Sequence, residues 1–179
     1  LTKRLSLKKY LIILNSVLKT KKIKFLQLRL KNKSESQILN ALKKINLICK
    51  KYKTIFFIND FANENFLKFC DGAHLGQKDI SKSKVNRILS NKKFLGITCH
   101  NSKDFVKKAI DLKPNYISFG SFFNTKTKKT TYKATVKNIK WFKKNFNLPC
   151  AAIGGINSEN CKKIVKSECD LLAVSSGIW

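Results

Sequence analysis

Thr54 to Ile80 reads TIFFINDFANENFLKFCDGAHLGQKDI. Ile55-Phe56-Phe57-Ile58 is an unbroken apolar run without 3.6-residue periodicity, the pattern of a strand buried on both faces of a parallel sheet. Asn59 and Asp60 therefore fall at its carboxyl end. Ala62 to Phe69 then predicts a short amphipathic helix, and Asp71 to Leu75 a second brief strand closed by Gly76-Gln77-Lys78-Asp79. Strand, polar end, helix, strand and polar end is a βαβ unit, and its two acids are placed to share one metal ion.

The same unit repeats outward in both directions. Strands are expected at Lys24 to Leu30, Thr54 to Ile58, Gly72 to Leu75, Phe94 to Thr98, Tyr116 to Gly120, Cys150 to Ile153 and Leu171 to Val174. Between them, apolar residues recur at helical spacing, as in Ile38-Leu42-Ile45-Ile48, Val85-Ile88-Leu89, Phe105-Val106-Ala109, Val136-Ile139-Phe142 and Cys161-Ile164-Val165. Alternation of this kind makes a parallel sheet covered by helices. Seven strands with polar or glycine-rich ends point to a single TIM-type (β/α)8 barrel domain over residues 1–179, with its site on the carboxyl-terminal face. Leu5 to Leu18 carries Leu7, Leu11, Leu14 and Leu18 on one helical face, so the chain is expected to open with a helix and to lack the barrel's first strand and last helix.

Composition narrows the function. At 179 residues, with 43% hydrophobic and 27% charged residues, the chain is an ordinary globule able to bury a full core. Its net charge of +28 comes from 38 basic residues of which only Arg4, Arg29 and Arg87 are arginine. Base and phosphate readers favour the arginine fork, and lysine here is spread evenly, so a solvated surface that attracts anionic substrates is favoured over nucleic-acid binding. Six cysteines include no C-x-x-C pair and no metal-spaced Cys/His cluster. They read as reduced core thiols of a cytoplasmic protein. The longest apolar stretch, Tyr10 to Leu18, is too short for a membrane span. The oligomeric state is left open, a homo-oligomer included.

The polar strand ends converge on anion chemistry. Gln27, Arg29 and Lys31 alternate, so period two aims all three into the barrel mouth, a set suited to phosphate. The plainer reading, side chains filling the interior in pairs with acids, lacks the alternating acid it needs. Gly120 to Lys128 is a long loop carrying hydroxyls and ammonium groups, equally readable by itself as a solvated basic loop. Ile153-Gly154-Gly155-Ile156-Asn157 is expected as a strand-to-helix turn whose glycines let N–H groups approach an anion at a helix amino terminus. With the last loop, Val174-Ser175-Ser176-Gly177, it matches the usual phosphate site of such barrels.

In this order the residues resemble the thiamine phosphate synthase family, and the resemblance spans nearly the whole chain. The family's Q-x-R-[E/D]-K is found as Gln27-Leu28-Arg29-Leu30-Lys31, its N-D as Asn59-Asp60, and its D-G-x-H-x-G-Q-x-D as Asp71 to Asp79. Its G-[IV]-[ST] is Gly96-Ile97-Thr98, its T/S-x-T-K loop Thr125-Lys126-Thr127-Lys128, and its I-G-G-I Ile153 to Ile156. The chain departs from the pattern at Leu30, where an acid is usual, and at Thr98, where serine is more frequent.

The resemblance implies an enzyme that joins 4-amino-2-methylpyrimidin-5-ylmethyl diphosphate to thiazole phosphate. Asp60 and Asp79 would hold Mg²⁺. Gln27, Arg29, Lys31, Asn59, Thr98 and Lys128 would grip the diphosphate substrate, with Arg29, Lys31, Thr98 and Lys128 acting on the reacting group. Thr125, Thr127, Gly155, Ser175 and Ser176 would seat the thiazole phosphate. His74 is expected to be a satisfied structural histidine. His100, near the mouth, is placed to act on a carboxylated thiazole, which makes the related thiazole tautomerase the nearest rival. A non-catalytic or nucleic-acid-associated barrel is the reading from a different class.

Overall fold

The computed structural model describes residues 6–125 and 131–178. Two compact units, Leu1–Leu95 and Gly96–Trp179, divide the chain. The first contains α1 (Leu7–Lys19), β1 (Phe25–Leu28), α2 (Glu35–Tyr52), β2 (Ile55–Asn59), α3 (Glu64–Leu67), β3 (Gly72–Leu75) and α4 (Lys82–Ser90). Its strands run parallel in the order β1-β2-β3, with Phe25 opposite Ile55 and Asn59 opposite His74.

Local sequence explains these elements. Ser34 and Gln37 form a capping box at the start of α2, whose Ile38, Leu42, Ile45 and Cys49 are buried. The helix ends at Lys53, which takes the left-handed conformation. Helix α1 buries Tyr10, Leu14 and Leu18, whereas the expected contacts Leu7 and Leu11 are only half-buried. Burial lifts the Tyr10 hydroxyl to about 12. Strand β2 is buried from Phe56 through Asn59, as its two-sided apolar pattern requires. Strand β1 instead alternates, with Leu26 and Leu28 buried and Phe25 and Gln27 exposed. It ends at Leu28, short of the expected Leu30, although Leu30 remains buried. The helix expected over Ala62 to Phe69 is only the single turn α3, capped by the Asn63 side chain on the Phe66 N–H at 2.9 Å.

The second unit holds β4 (Phe94–His100, entered from the first unit), α5 (Lys103–Ile110), β5 (Tyr116–Gly120), α6 (Val136–Asn145), β6 (Cys150–Ile153), α7 (Lys162–Val165) and β7 (Leu171–Ala173). Its strands are also parallel and adjacent in chain order, with Gly120 opposite Ile153 and Ile153 opposite Ala173. Strand β4 outruns its expected end at Thr98. Its register against β5 slips between Thr98 and His100, a bulge that leaves His100 at φ +53°.

The amino ends of the strands repeat one device. Asp71, entering β3, accepts the Phe56 N–H at 2.8 Å, and Asp170, entering β7, accepts the Cys150 N–H at the same distance. Each carboxylate satisfies a backbone donor that the ladder leaves unpaired at a strand start. All six cysteines are free, and burial pushes the Cys49, Cys70 and Cys99 thiols up to about 12, so they are inert. Among the described residues no helix is long and apolar enough to cross a membrane.

Candidate active site

In the first unit the carboxyl ends of β1, β2 and β3 bring polar groups together. Gln27 on β1 donates its side-chain amide to Asn59 Oδ1 on β2. That bond crosses the ladder and fixes the orientation of a buried asparagine. Asp60 follows, with its N–H donated to the His74 carbonyl at 2.8 Å, so β2 and β3 stay tied as the chain leaves the strand. Asp79 closes the turn after β3, donating its N–H to the Gly76 carbonyl at 2.9 Å.

Gly76 decides how close the two acids come. A Cβ built there would stand 3.0 Å from Asp79 Oδ2 and 3.6 Å from Asp60 Oδ1, so a hydrogen at this position leaves both carboxylates room beside one α-carbon. Burial, then the neighbouring Asp79 charge and its hydrogen bond, push the Asp60 carboxyl above its usual range, while the Gly76 N–H and Arg29 pull it back. Two carboxylates in this relation either share a proton or share a cation. Hard oxygen donors of this type suit Mg²⁺, which takes one or two carboxylates and completes its shell with water and phosphate oxygens. Among the described residues no group of three or more His, Cys, Asp or Glu is assembled for a metal, so an ion here would need such non-protein ligands.

The remaining first-unit residues sit around this pair to different degrees. Arg29 is half-buried and close enough to act on Asp60, whereas Lys31 is exposed beyond the end of β1. His74 is fully enclosed, and burial lowers its pKa to about 4, so it is neutral near pH 7 as a structural histidine should be. Lys84 on α4, which the sequence did not single out, donates its ammonium to the Asp60 carbonyl at 3.1 Å. A lysine in a helix pattern gives no signal of such a contact.

The second unit assembles a different kind of site. Phe122 and Phe123 donate their N–H groups to the carbonyls of Ile153 and Gly154 at 3.1 and 3.0 Å, laying the loop after β5 onto the end of β6. The fit demands glycine at both positions of the Gly154-Gly155 pair. Gly154 has φ +105° and a Cβ there would fall 2.1 Å from Ser121 Oγ; at Gly155, φ +64°, it would fall 2.4 Å from the Asn124 carbonyl. Thr125 is half-buried at the described end of this loop. Thr127 and Lys128 lie outside the described residues.

Ser175 and Ser176 are exposed in the turn after β7, where a Cβ at Gly177 would stand 3.2 Å from the Ile156 carbonyl oxygen and 3.4 Å from the Asn157 α-carbon. The two turns thus present hydroxyls beside glycine backbone. The helix pattern read at Cys161-Ile164-Val165 is α7 (Lys162–Val165), so the turn after Gly155 runs on past the Asn157 expected for it. Asn157 accepts the N–H groups of Glu159 and Asn160, Asn160 returns its amide to the Gly155 carbonyl at 2.9 Å, and α7 begins only at Lys162. These Asx interactions compete with helix formation and absorb the turn's own polar groups. Thr98 is half-buried on β4 just before the bulge. A cavity of about 270 Å³ lies at the opposite, amino ends of the strands, lined by Ile110, Pro114, Phe146 and Leu148 among others, and carries none of these groups.

The family model for thiamine monophosphate synthase matches residues 2–178. The chain is 45% identical over 163 residues to the thiamine-phosphate synthase of Pelagibacter ubique, covering 91% of this chain and 78% of that protein. It is 33% identical over 153 residues to the thiamine-phosphate synthase of Rhodospirillum centenum, covering 86% and 74%. Among solved structures, thiamine phosphate pyrophosphorylase from Pyrococcus furiosus superposes with a TM-score of 0.81 at 22% identity, over 94% of this chain and 80% of that one. That likeness carries the α/β fold, with parallel strands in the TIM-type arrangement expected from the sequence.

Proposed function

The chain belongs to the thiamine monophosphate synthase family, and on that premise we propose how its residues divide the work of the coupling. The reaction transfers a pyrimidinylmethyl group from its diphosphate to thiazole phosphate, giving thiamine phosphate and pyrophosphate. Both substrates are anions, which suits a chain of net charge +28.

The observation that supports this reading most is the apposition of Asp60 and Asp79 beside Gly76. Those two carboxylates would hold Mg²⁺, which when bound supplies positive charge to the diphosphate. Gln27 and Asn59, locked to one another, present a rigid polar edge to the same substrate, while Arg29 and Lys31 add cationic donors. By resemblance to the family, Thr98 and Lys128 are assigned to the same substrate. The bond between the pyrimidine methylene carbon and the diphosphate oxygen breaks with its electron pair leaving on pyrophosphate. The resulting carbocation is captured by the lone pair of the thiazole nitrogen.

No proton leaves the nucleophile, so the step needs no general base. His74, buried with its pKa lowered to about 4, is neutral near pH 7 and is read as structural. Thr125, Thr127, Gly155, Ser175 and Ser176 seat the thiazole phosphate, with the glycine backbone and the two exposed serines on its phosphate. Catalysis on this account is orientation plus preorganised charge. We place the enzyme in the cytoplasm, where its free thiols stay reduced.

The tautomerase alternative performs no coupling and has no use for a diphosphate grip, so the presence of Arg29, Lys31, Asn59, Asp60 and Asp79 together speaks for the synthase. Purified protein given both substrates and Mg²⁺ should produce thiamine phosphate and pyrophosphate in equal amounts. Folded protein that isomerises a carboxylated thiazole but yields no thiamine phosphate would replace this reading with the tautomerase.

A further inference from the structure

The first turn of a helix carries partial positive charge and disfavours lysine. Helix α4 nevertheless opens with Lys82 and Lys84 and has no acid in its first turn. The two lysines differ in what they do. Lys82 is exposed, whereas Lys84 is half-buried and directs its ammonium off the helix to the main-chain carbonyl of Asp60, 3.1 Å away. A residue that breaks a local preference while making a specific distant contact is where function is to be sought.

The contact falls on an unusual peptide. Asp60 has φ +69°, in the left-handed region that is uncommon for residues with a side chain, though aspartate enters it more readily than most. Its N–H is fixed by the His74 carbonyl at 2.8 Å, and its carbonyl by Lys84, so both polar groups of the residue are held by neighbouring elements. Release of either would let the backbone relax toward an ordinary conformation. The Asp60 carboxylate would then swing away from Asp79 and from the Gly76 α-carbon beside which both now lie.

We propose that Lys84 is a positioning residue: by holding the Asp60 carbonyl it keeps the left-handed turn that sets the Asp60 carboxylate against Asp79, and so tunes the affinity of the acid pair for a divalent cation. The inference rests on the reading of Asp60 and Asp79 as a cation site. Lys84 touches the main chain of Asp60, so it supports a ligand without being one. Partners of this outer kind govern metal affinity although they never contact the metal.

Calorimetric titration of substrate-free protein with Mn²⁺ tests this directly. Lys84→Met should weaken binding about tenfold, Lys84→Arg should restore most of it, and Lys82→Met, which removes the same charge from the same turn, should stay within about twofold of wild type. If the methionine variant does not fold, Lys84→Gln carries the same expectation. Wild-type binding that Lys84→Met leaves unchanged, or a loss that Lys82→Met reproduces, overturns the role of Lys84 alone. A wild-type protein that binds no Mn²⁺ overturns the cation site itself, and the role of Lys84 with it.

Discussion

Asp60 and Asp79 place their carboxylates beside the same α-carbon, that of Gly76, where a Cβ would stand 3.0 Å from one and 3.6 Å from the other. Burial first, and then the charge and hydrogen bond of Asp79, make the Asp60 carboxyl hold its proton to higher pH than its usual 3.8.

That shift gives a prediction with a definite sign. For an acid whose folded-state pKa is raised, the stabilisation is complete below the unfolded value and is lost as pH rises through the folded value. Asp60→Asn should therefore raise the thermal midpoint of metal-free protein at neutral pH, with the difference from wild type shrinking as pH falls toward about 4. Thermal melts across pH, without and with Mg²⁺, check both parts, since the same variant should lose the stabilisation that Mg²⁺ gives wild type.

Asp170 titrates with the opposite sign. Burial alone would raise its carboxyl, but the Cys150 N–H at 2.8 Å and the Lys143 ammonium at 3.0 Å hold it below its ordinary range. Its contribution is present above the unfolded pKa and disappears as pH falls through the depressed folded value. Asp170→Asn should destabilise the protein by about 1–2 kcal/mol at neutral pH and converge with wild type in acid, as read by urea unfolding at several pH values. Because Asp170 stands at the amino end of β7, the kinetic constants of the folded variant should not change.

Gly155→Ala should separate the two substrates. Its φ of +64° and the 2.4 Å approach to the Asn124 carbonyl leave no room for a methyl group. The strained conformation alone is worth about 1–3 kcal/mol, and relief requires the loop after β5 to move off β6. Steady-state kinetics should show a KM for thiazole phosphate raised by about tenfold or more, with the KM for the pyrimidine diphosphate close to wild type.

Much of this architecture was legible in the sequence, and the misses have physical causes. Ile55-Phe56-Phe57-Ile58 announced a two-sided strand because burial on both faces leaves no polar residue in the run, and β5 and β6 also fell where expected. The Asp60–Asp79 pairing was legible because both acids end neighbouring parallel strands, which bring their ends together whatever the helix between them does. The turn after Gly155 runs longer than Ile153 to Asn157 because Asn157 and Asn160 bond locally to it, a side-chain competition that apolar spacing does not register. The true extent of β4 was hidden because a bulge adds a residue without changing the apolar pattern. Lys84 was invisible because its partner is a main-chain carbonyl, which leaves no mark on the sequence.

On the function proposed above, Asp60 and Asp79 act together on a Mg²⁺-bound diphosphate. Pyrophosphate release from the pyrimidine diphosphate in the presence of thiazole phosphate, measured against Mg²⁺ concentration, tests it most directly in wild type, Asp60→Asn and Asp79→Asn. Wild type should show saturable dependence on Mg²⁺. Each single variant should lose at least about 100-fold in rate, and the double variant should be little worse than either, as for residues that act as a unit. Mg²⁺-independent release by wild type, or a folded Asp79→Asn protein with undiminished rate, would contradict the account.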